Sequence, residues 1–451
     1  MKYRLILTIG IMVSVWMLYF QGSAFSGHEN PQKPLKLTLD KAVSIALEKN
    51  PAILARAQEI LASKKNADAA WADRWAKLSS GYTYARLKDE PFVIFKDIPG
   101  QNTFQVGKQD DIKWHVTITQ PLFTGFALKT KEDLAKIGID VASLEKAVSA
   151  LNIERDVKYS YLNVLLAKRS LEVAHEAVCQ LTSHVKDAKG FYRHGLIPYN
   201  DLLRSQVALA AAHQEEVRSA SMLKTAKAAL NVLLDQAVTT PLKLEDIQEI
   251  PSCSCNLKRL IDMGRITRPE RKALALRLQQ AELAIRLAKS GYYPTVALVG
   301  RYERHGDDLA AGDNDFQNSY NAIIGIEARW IPFEWGKVSY ETQKSIHERD
   351  AIRYRLKSVD NEISLQIKQA WLRVNVAREN IETARVALQQ AKENYRLTNL
   401  QYREQMAVST DVLDARTFLT EAEMNYYSAV YGYHISLADL ERAVGKKIDP
   451  F

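Results

Sequence analysis

A block of forty residues, Val164 to Leu203, occurs twice in this chain. Its heptad-spaced apolar residues Val164, Leu171, Val178, Val185 and Tyr192 return as Val374, Ile381, Leu388, Tyr395 and Tyr402, each 210 positions later. Ala174 and Ala384 keep that offset. So does the segment beyond, where Tyr192-Arg193-His194-Gly195-Leu196 with Asp201-Leu202-Leu203 becomes Tyr402-Arg403-Glu404-Gln405-Met406 with Asp411-Val412-Leu413. Heptad spacing specifies helices that pack along a seam, and a register held for so long specifies a duplicated unit. Two long coiled-coil hairpins are therefore expected, turning back at equivalent places.

The N-terminus places this unit outside the cytoplasm. Lys2 and Arg4 precede an apolar run from Leu5 to Phe20, and Gly22-Ser23-Ala24 supplies small residues for cleavage. Residues 1–24 thus read as an export signal that is removed. The run is short for a retained span, and no later segment reaches the roughly 18 apolar residues of a bilayer-crossing helix. The first structural repeat is assigned to 25–247, the second to 248–446 and a tail to 447–451. The net charge of +8 arises from basic residues interleaved with acids along helices, which marks a solvated face. No nucleic-acid partner is expected.

Motifs for chemistry are missing. Cys179 falls within the first long helix and is expected to be a small packing residue, while Cys253 and Cys255 lie in a polar connector where export permits a local disulfide. No histidine cluster completes a metal site beside them, and the seven methionines are not clustered as a soft-metal relay would need. G-x-x-x-x-G-K-[ST], H-E-x-x-H and G-x-S-x-G do not occur, so neither enzymatic activity nor a cofactor is expected.

Periodicity orders the rest. Leu39 to Asn50 is helical, Pro51 interrupts, and helix resumes to about Lys77. The period then changes to two. In Asp111 to Thr119, Ile112, Trp114, Val116 and Ile118 share one face, and Lys113, His115, Thr117 and Thr119 take the other. Leu78 to Arg86 is a weaker partner strand, joined through a loop at 88–110. The second half repeats the order: a helix from Pro269 to Tyr292, a strand from Thr295 to Arg304, a loop, and an alternating strand from Tyr320 to Trp330. There Tyr320, Ala322, Ile324, Ile326, Ala328 and Trp330 face one way, and Asn321, Gly325, Glu327 and Arg329 the other. Pro121 with Gly125, and Pro332 with Gly336, are expected to stop each ladder and permit a sharp turn.

Length then decides the shape. A helix from Leu128 to Tyr192 would run roughly 97 Å, close to the sum of Asn200–Leu234 and Pro51–Lys77 laid end to end. The second half gives the same arithmetic with Gly336–Tyr402, Thr410–Val444 and Pro269–Tyr292. The protomer is expected to be a rod, with strands at one end, helical turns at the other, and the 235–257 connector and the tail around its middle. Four strands cannot close a barrel, and one face needs a non-aqueous neighbour while the other needs water. A transmembrane barrel shared between chains meets both needs. The competing expectation is an exported coiled-coil scaffold or adhesin whose strands pack in a soluble cap.

The export signal, the two helix–strand–strand–long-helix–helix repeats, the Pro-x-x-x-Gly strand ends and the two tips resemble the TolC-type outer membrane efflux proteins over residues 36–446. The resemblance implies a mostly helical fold with a small strand part. It implies a homotrimer forming a 12-stranded outer-membrane barrel, continued by a 12-helix periplasmic tunnel. It implies an exit duct of a tripartite efflux or type I secretion system, served by a periplasmic adaptor and an energised inner-membrane transporter. It assigns the periplasmic gate to Asp411 and Asp414, behind Tyr402, where three chains would supply six carboxylates favouring cations. Acids following Ser409 and Thr410 are equally what a helix start uses as caps. The family's basic latch position is Ala407 here, and Arg204 stands where Asp414 would correspond, so the two tips differ. Gly195, Leu196, Ile197 and Pro198, with Gln405 and Met406, are the expected adaptor-contacting tips. Lys113, His115, Glu327 and Arg329 are expected to face the barrel lumen.

Overall fold

The computed structural model describes residues 35–95, 100, 103–247, 256–312, 315–316 and 318–448; the export signal, Cys253, Cys255 and the end of the tail lie outside them. In the first repeat a short strand β1 (Leu35–Leu37) leads into α1 (Leu39–Lys49), which Thr38 caps by accepting the Lys41 N–H. Asn50 bridges the break before α2 (Pro51–Ala72): its carbonyl oxygen accepts from the Ala52 N–H and its amide donates to the Leu233 carbonyl, both at 3.0 Å. The helix expected to reach Lys77 stops at Ala72, because Lys77 already pairs with Thr119 as the first residue of β2 (Lys77–Arg86). The expected loop at 88–110 carries a small hairpin of β3 (Phe92–Ile94) and β4 (Thr103–Gln105). β5 (Asp110–Thr124) does not stop at Pro121 as expected; its ladder with the second repeat shifts register between Pro121 and Phe123, a bulge that carries the strand past the missing donor. Then come α3 (Ala127–Arg193), α4 (Tyr199–Leu233) and β6 (Leu242–Leu244), the last paired in parallel with β1.

The second repeat follows with α5 (Leu257–Thr267), α6 (Pro269–Lys289) ending in a 3-10 turn at Ser290–Tyr292, β7 (Thr295–Gly306), β8 (Tyr320–Arg329), α7 (Lys337–Arg403) and α8 (Ser409–Val444). α5 was not expected from the sequence. The two long helices are each 67 residues, about 100 Å at 1.5 Å per residue. Two offsets relate the copies. β5, α3 and α4 start 210 residues before β8, α7 and α8, whereas α1, α2 and β2 start 218 before α5, α6 and β7. The difference of eight residues falls between the paired strands, so the first copy's strand-to-strand loop is the longer one.

The four long strands form one antiparallel sheet in the order β2-β5-β7-β8. Its register places Leu78, Tyr82 and Tyr84 on the same face as Ile112, Trp114, Val116 and Ile118, then Leu298 and Tyr302, then Tyr320, Ile324 and Ile326. The opposite face carries Lys113, His115, Arg301, Glu303, Asn321, Glu327 and Arg329. Ile112 departs from the expected outward apolar set: it is 1% exposed. Its neighbourhood is covered by the chain after β7, since the Tyr82 hydroxyl on that face donates to the Leu309 carbonyl. Among the described residues, β2 and β8 each leave one edge without a strand partner, and every residue of β8 is exposed.

Mid-rod, each repeat has its own core. Ala42, Ile153, Val157, Val164 and Leu230 pack in the first; Leu260, Ile363, Ile367, Val374 and Leu440 occupy the corresponding positions in the second. The Tyr161 hydroxyl lies 2.8 Å from the Leu37 carbonyl oxygen and 2.6 Å from that of Glu245, tying the β1–β6 pair to α3. Lys158 meets Glu441 and Glu154, each at 2.7 Å; burial works against its charge, but the two carboxylates prevail and raise its pKa. The duplicated long helices are nevertheless not equally covered. Nineteen residues of α3 are buried against seven of α7. α3 lies between α2 and α4 of its own repeat and α6 and α8 of the other, while α7 lies at the protomer's edge.

Candidate functional site

The two helical turns come together at one end of the rod, built alike from unlike residues. Both reverse through one left-handed residue at equivalent positions, Gly195 at φ 71° and Gln405 at φ 62°. Glycine takes that conformation freely, whereas glutamine pays steric cost for it. Past the second turn Asp411 is exposed and its carboxylate accepts the Val408 N–H at 3.2 Å, closing the first turn of α8. The first turn has no such bond to make: the position matching Val408 is Pro198, which carries no N–H. Asp414 is exposed one turn further along α8. Arg204, its counterpart on α4, reaches across to the Thr410 hydroxyl at 3.4 Å.

Tyr402, expected behind these acids, is buried. It is 2% exposed, its ring 4.7 Å from the His184 ring and 5.4 Å from that of Phe191 on α3. Around it lies a buried polar group that the sequence did not reveal. His184 Nε2 is 2.8 Å from the Ser409 hydroxyl, which is 3.0 Å from the Ser205 hydroxyl; Ser205 in turn donates to the Asp201 carbonyl. His184, Ser205, Tyr402 and Ser409 thus join α3, α4, α7 and α8. Burial pushes the His184 imidazole pKa down, against the opposing pull of Asp187, and its Nδ1 has no protein partner. Arg403 approaches Asp187 to 3.4 Å at the surface of the same junction. Only the heptad pattern could have flagged His184, through its place beside Val178 and Val185.

Of the expected tip residues, Leu196 and Met406 are exposed, Gly195, Pro198 and Gln405 are exposed with them, and Ile197 is half-buried. Cys179 is not the packing residue expected: it is exposed on α3, with Sγ 3.8 Å from His175 Nε2. At the other end of the rod, Lys113, His115, Glu327 and Arg329 share the polar face of the sheet. On that face Asp111 bonds Lys113 of its own strand at 2.9 Å and His305 of β7 in the second repeat. His115 lies against Gly81, where a Cβ would meet its ring at 2.5 Å. Among the described residues no group of three or more metal-ligating side chains forms, and no helix is long and apolar enough to cross a membrane. A sheet with one apolar face has no such requirement.

The rod is a known architecture. The outer membrane channel CmeC of Campylobacter jejuni superposes with a TM-score of 0.77 at 14% identity, covering 90% of this chain and 85% of that one. VceC, an outer membrane protein of Vibrio cholerae, superposes at 0.74 with 16% identity, covering 91% and 97%. By sequence, the outer membrane protein TolC of Vibrio cholerae serotype O1 is 22% identical over 292 residues, 64% of this chain and 66% of that protein, just under two thirds of its length. The family model for outer membrane efflux proteins matches residues 42–236 and 260–446, each span covering one repeat. Channels of this kind are trimeric and are not enzymes. With both repeats matched, the chain belongs to the outer membrane efflux protein family.

Proposed function

We propose that this chain is the exit duct of a tripartite efflux or type I secretion system, conducting substrates passively from the periplasm or an inner-membrane pump to the exterior. The observation that carries the reading is the unfinished sheet. Its two free edges, its apolar face and its ionic face are satisfied together when three chains close twelve strands in lipid around water. In that barrel Lys113, His115, Glu327 and Arg329 line the lumen. The end of the helical tube at the two turns, with Asp411 and Asp414 exposed on α8, acts as a cation-favouring gate at the periplasmic side. Gly195, Leu196, Ile197, Pro198, Gln405 and Met406 meet a periplasmic adaptor, through which an inner-membrane transporter supplies the energy. The latch cannot use the family's basic position, which is Ala407 here; within each chain the tips are braced by the contacts around His184 and between Arg403 and Asp187. A soluble scaffold or adhesin would have to cover the fully exposed β8 with its own residues.

Planar-bilayer recording of the detergent-extracted protein tests the reading. The duct predicts a trimer that inserts from detergent and gives discrete, cation-preferring conductance steps. A water-soluble single chain without conductance would return the scaffold.

A further inference from the structure

The helical hairpin of the first repeat carries a side-chain cluster that its copy lacks. His175 and Cys179 stand four residues apart on α3, and His213 and Glu216 three apart on α4, spacings that set each pair on one helical face. The two faces meet. Glu216 Oε1 lies 2.6 Å from His175 Nδ1, and its other oxygen lies 3.6 Å from His213 Nδ1. On the far side of the ring, His175 Nε2 is 3.8 Å from Cys179 Sγ. The positions 210 residues later hold Arg385, Gln389, Glu423 and Tyr426, so the packing of the duplicated hairpin does not call for this set.

Each contact prepares the next. The hydrogen bond from His175, foremost, holds the Glu216 carboxylate below its usual pKa, so it is ionised and accepts the Nδ1–H. A neutral ring with its proton on Nδ1 presents a bare lone pair at Nε2, the nitrogen turned to the thiol. Zinc held by a thiolate at about 2.3 Å and an imidazole at about 2.0–2.1 Å sets those two atoms about 3.6 Å apart at a tetrahedral angle. The Sγ–Nε2 separation of 3.8 Å already spans that edge. A carboxylate on the second ring nitrogen is also how metal-bound histidines are oriented. The His175 side chain is 67% exposed and Cys179 is exposed, so an ion reaches both. α3 packs between α4 and α8 of its own chain, which keeps this face off the seams between chains.

We propose that His175 Nε2 and Cys179 Sγ clasp a borderline-soft divalent cation of the zinc class, with water completing its coordination and Glu216 positioning the imidazole from behind. Binding releases the thiol proton to solvent, and sulfur and nitrogen each donate a lone pair, so no oxidant or reductant takes part. Two direct protein ligands are fewer than the three or four of catalytic and structural zinc sites, so the ion is captured reversibly from solution and does not hold the fold together.

Titration with cobalt(II) tests the site in the full chain, with Cys253 and Cys255 replaced by serine and a phosphine reductant keeping Cys179 a thiol. Cobalt bound by thiolate shows a sulfur-to-metal charge-transfer band that binding by histidine or carboxylate alone does not give. The expected result is a band that saturates at one cobalt per chain and is bleached by zinc. It should vanish in Cys179→Ser and in His175→Ala. Glu216→Ala should keep the band but need about ten- to a hundredfold more cobalt to reach it. Circular dichroism of each variant, unchanged from the parent, ties a lost band to the ligand and not to the fold. Absence of the band in the parent, a band that survives His175→Ala, or an unshifted midpoint in Glu216→Ala overturns the site.

Discussion

Asp411 caps α8 and also stands where a gate carboxylate is proposed, and the two roles separate by substitution. Asp411→Ala removes the acceptor for the Val408 N–H and should weaken the tip by about 1 kcal/mol. That would show as faster hydrogen exchange at residues 404–412, and Asp414→Ala should leave exchange there unchanged. In single-channel recordings Asp411→Asn and Asp414→Asn together should reduce cation preference. An unmoved reversal potential would remove both from the gate while leaving the cap standing. His184 gives the same end of the molecule a pH dependence. Its native pKa lies below its ordinary value of 6.5, so an opened tip binds more protons than a closed one once pH falls past that value. The closed tip should therefore lose stability from about pH 6.5 downwards until the lowered native pKa is reached. Tip exchange measured between pH 8 and pH 5 (roughly the window in which histidine changes charge) should steepen in the native chain and flatten in His184→Gln. Gln405→Gly should stabilise the turn by about 0.5–1 kcal/mol, because glycine adopts the left-handed conformation without the steric cost glutamine bears.

At the scale of elements, Arg416 and Glu423 show what α8 carries beneath its heptads. They lie 3.7 Å apart two turns along the helix and both are almost fully buried, with Arg416 over the Tyr395 ring and 3.5 Å from the Val173 carbonyl. Burial pushes the Glu423 pKa up, against the Arg416 charge. Arg416→Leu alone should cost about 3 kcal/mol by stranding the acid, whereas Arg416→Leu with Glu423→Leu should be neutral or stabilising. Thermal denaturation of the three proteins measures both. Such a pair is invisible in a sequence, where it reads as two more charges on a solvated helix. What was legible had a period. Heptads placed both 67-residue helices to within a residue or two, and strict alternation sorted the faces of β5 and β8. Three-residue elements such as β3 and β4 have no period to read. α5 is hidden for a different reason: the offset of 210 does not reach it, whereas Pro51 with Pro269 keeps the second offset of 218, which marks α5 as the copy of α1. Ile112 alternates correctly yet is covered by a loop, which alternation cannot report.

For the whole molecule, the duplication makes the tube nearly six-fold, with three seams inside chains and three between them, and the residues at the tip make the two kinds differ. Within a chain, His184 meets Ser409 and Asp187 faces Arg403. Carried across by the offset of 210, the equivalent seam between chains of the proposed ring would set Asn394 against Tyr199 and Leu397 against Arg193 of the partner subunit, with no ion pair in the place of Asp187 and Arg403. Tyr192, Tyr199 and Leu397 are all exposed in the isolated chain, which fits residues waiting for that neighbour. A surface ion pair is worth roughly 0–1 kcal/mol, and the seam between chains lacks the one that Arg403 and Asp187 make within a chain. Opening should therefore begin between chains rather than within one. Asn394→Cys with Tyr199→Cys, oxidised after assembly, should suppress opening steps in bilayers and restore them on reduction. His184→Cys with Ser409→Cys should lock far less, because that junction already holds the two hairpins of one chain together. Equal suppression by both pairs would show that the six seams yield together, and the chemical difference between them would then have no bearing on how the tube opens.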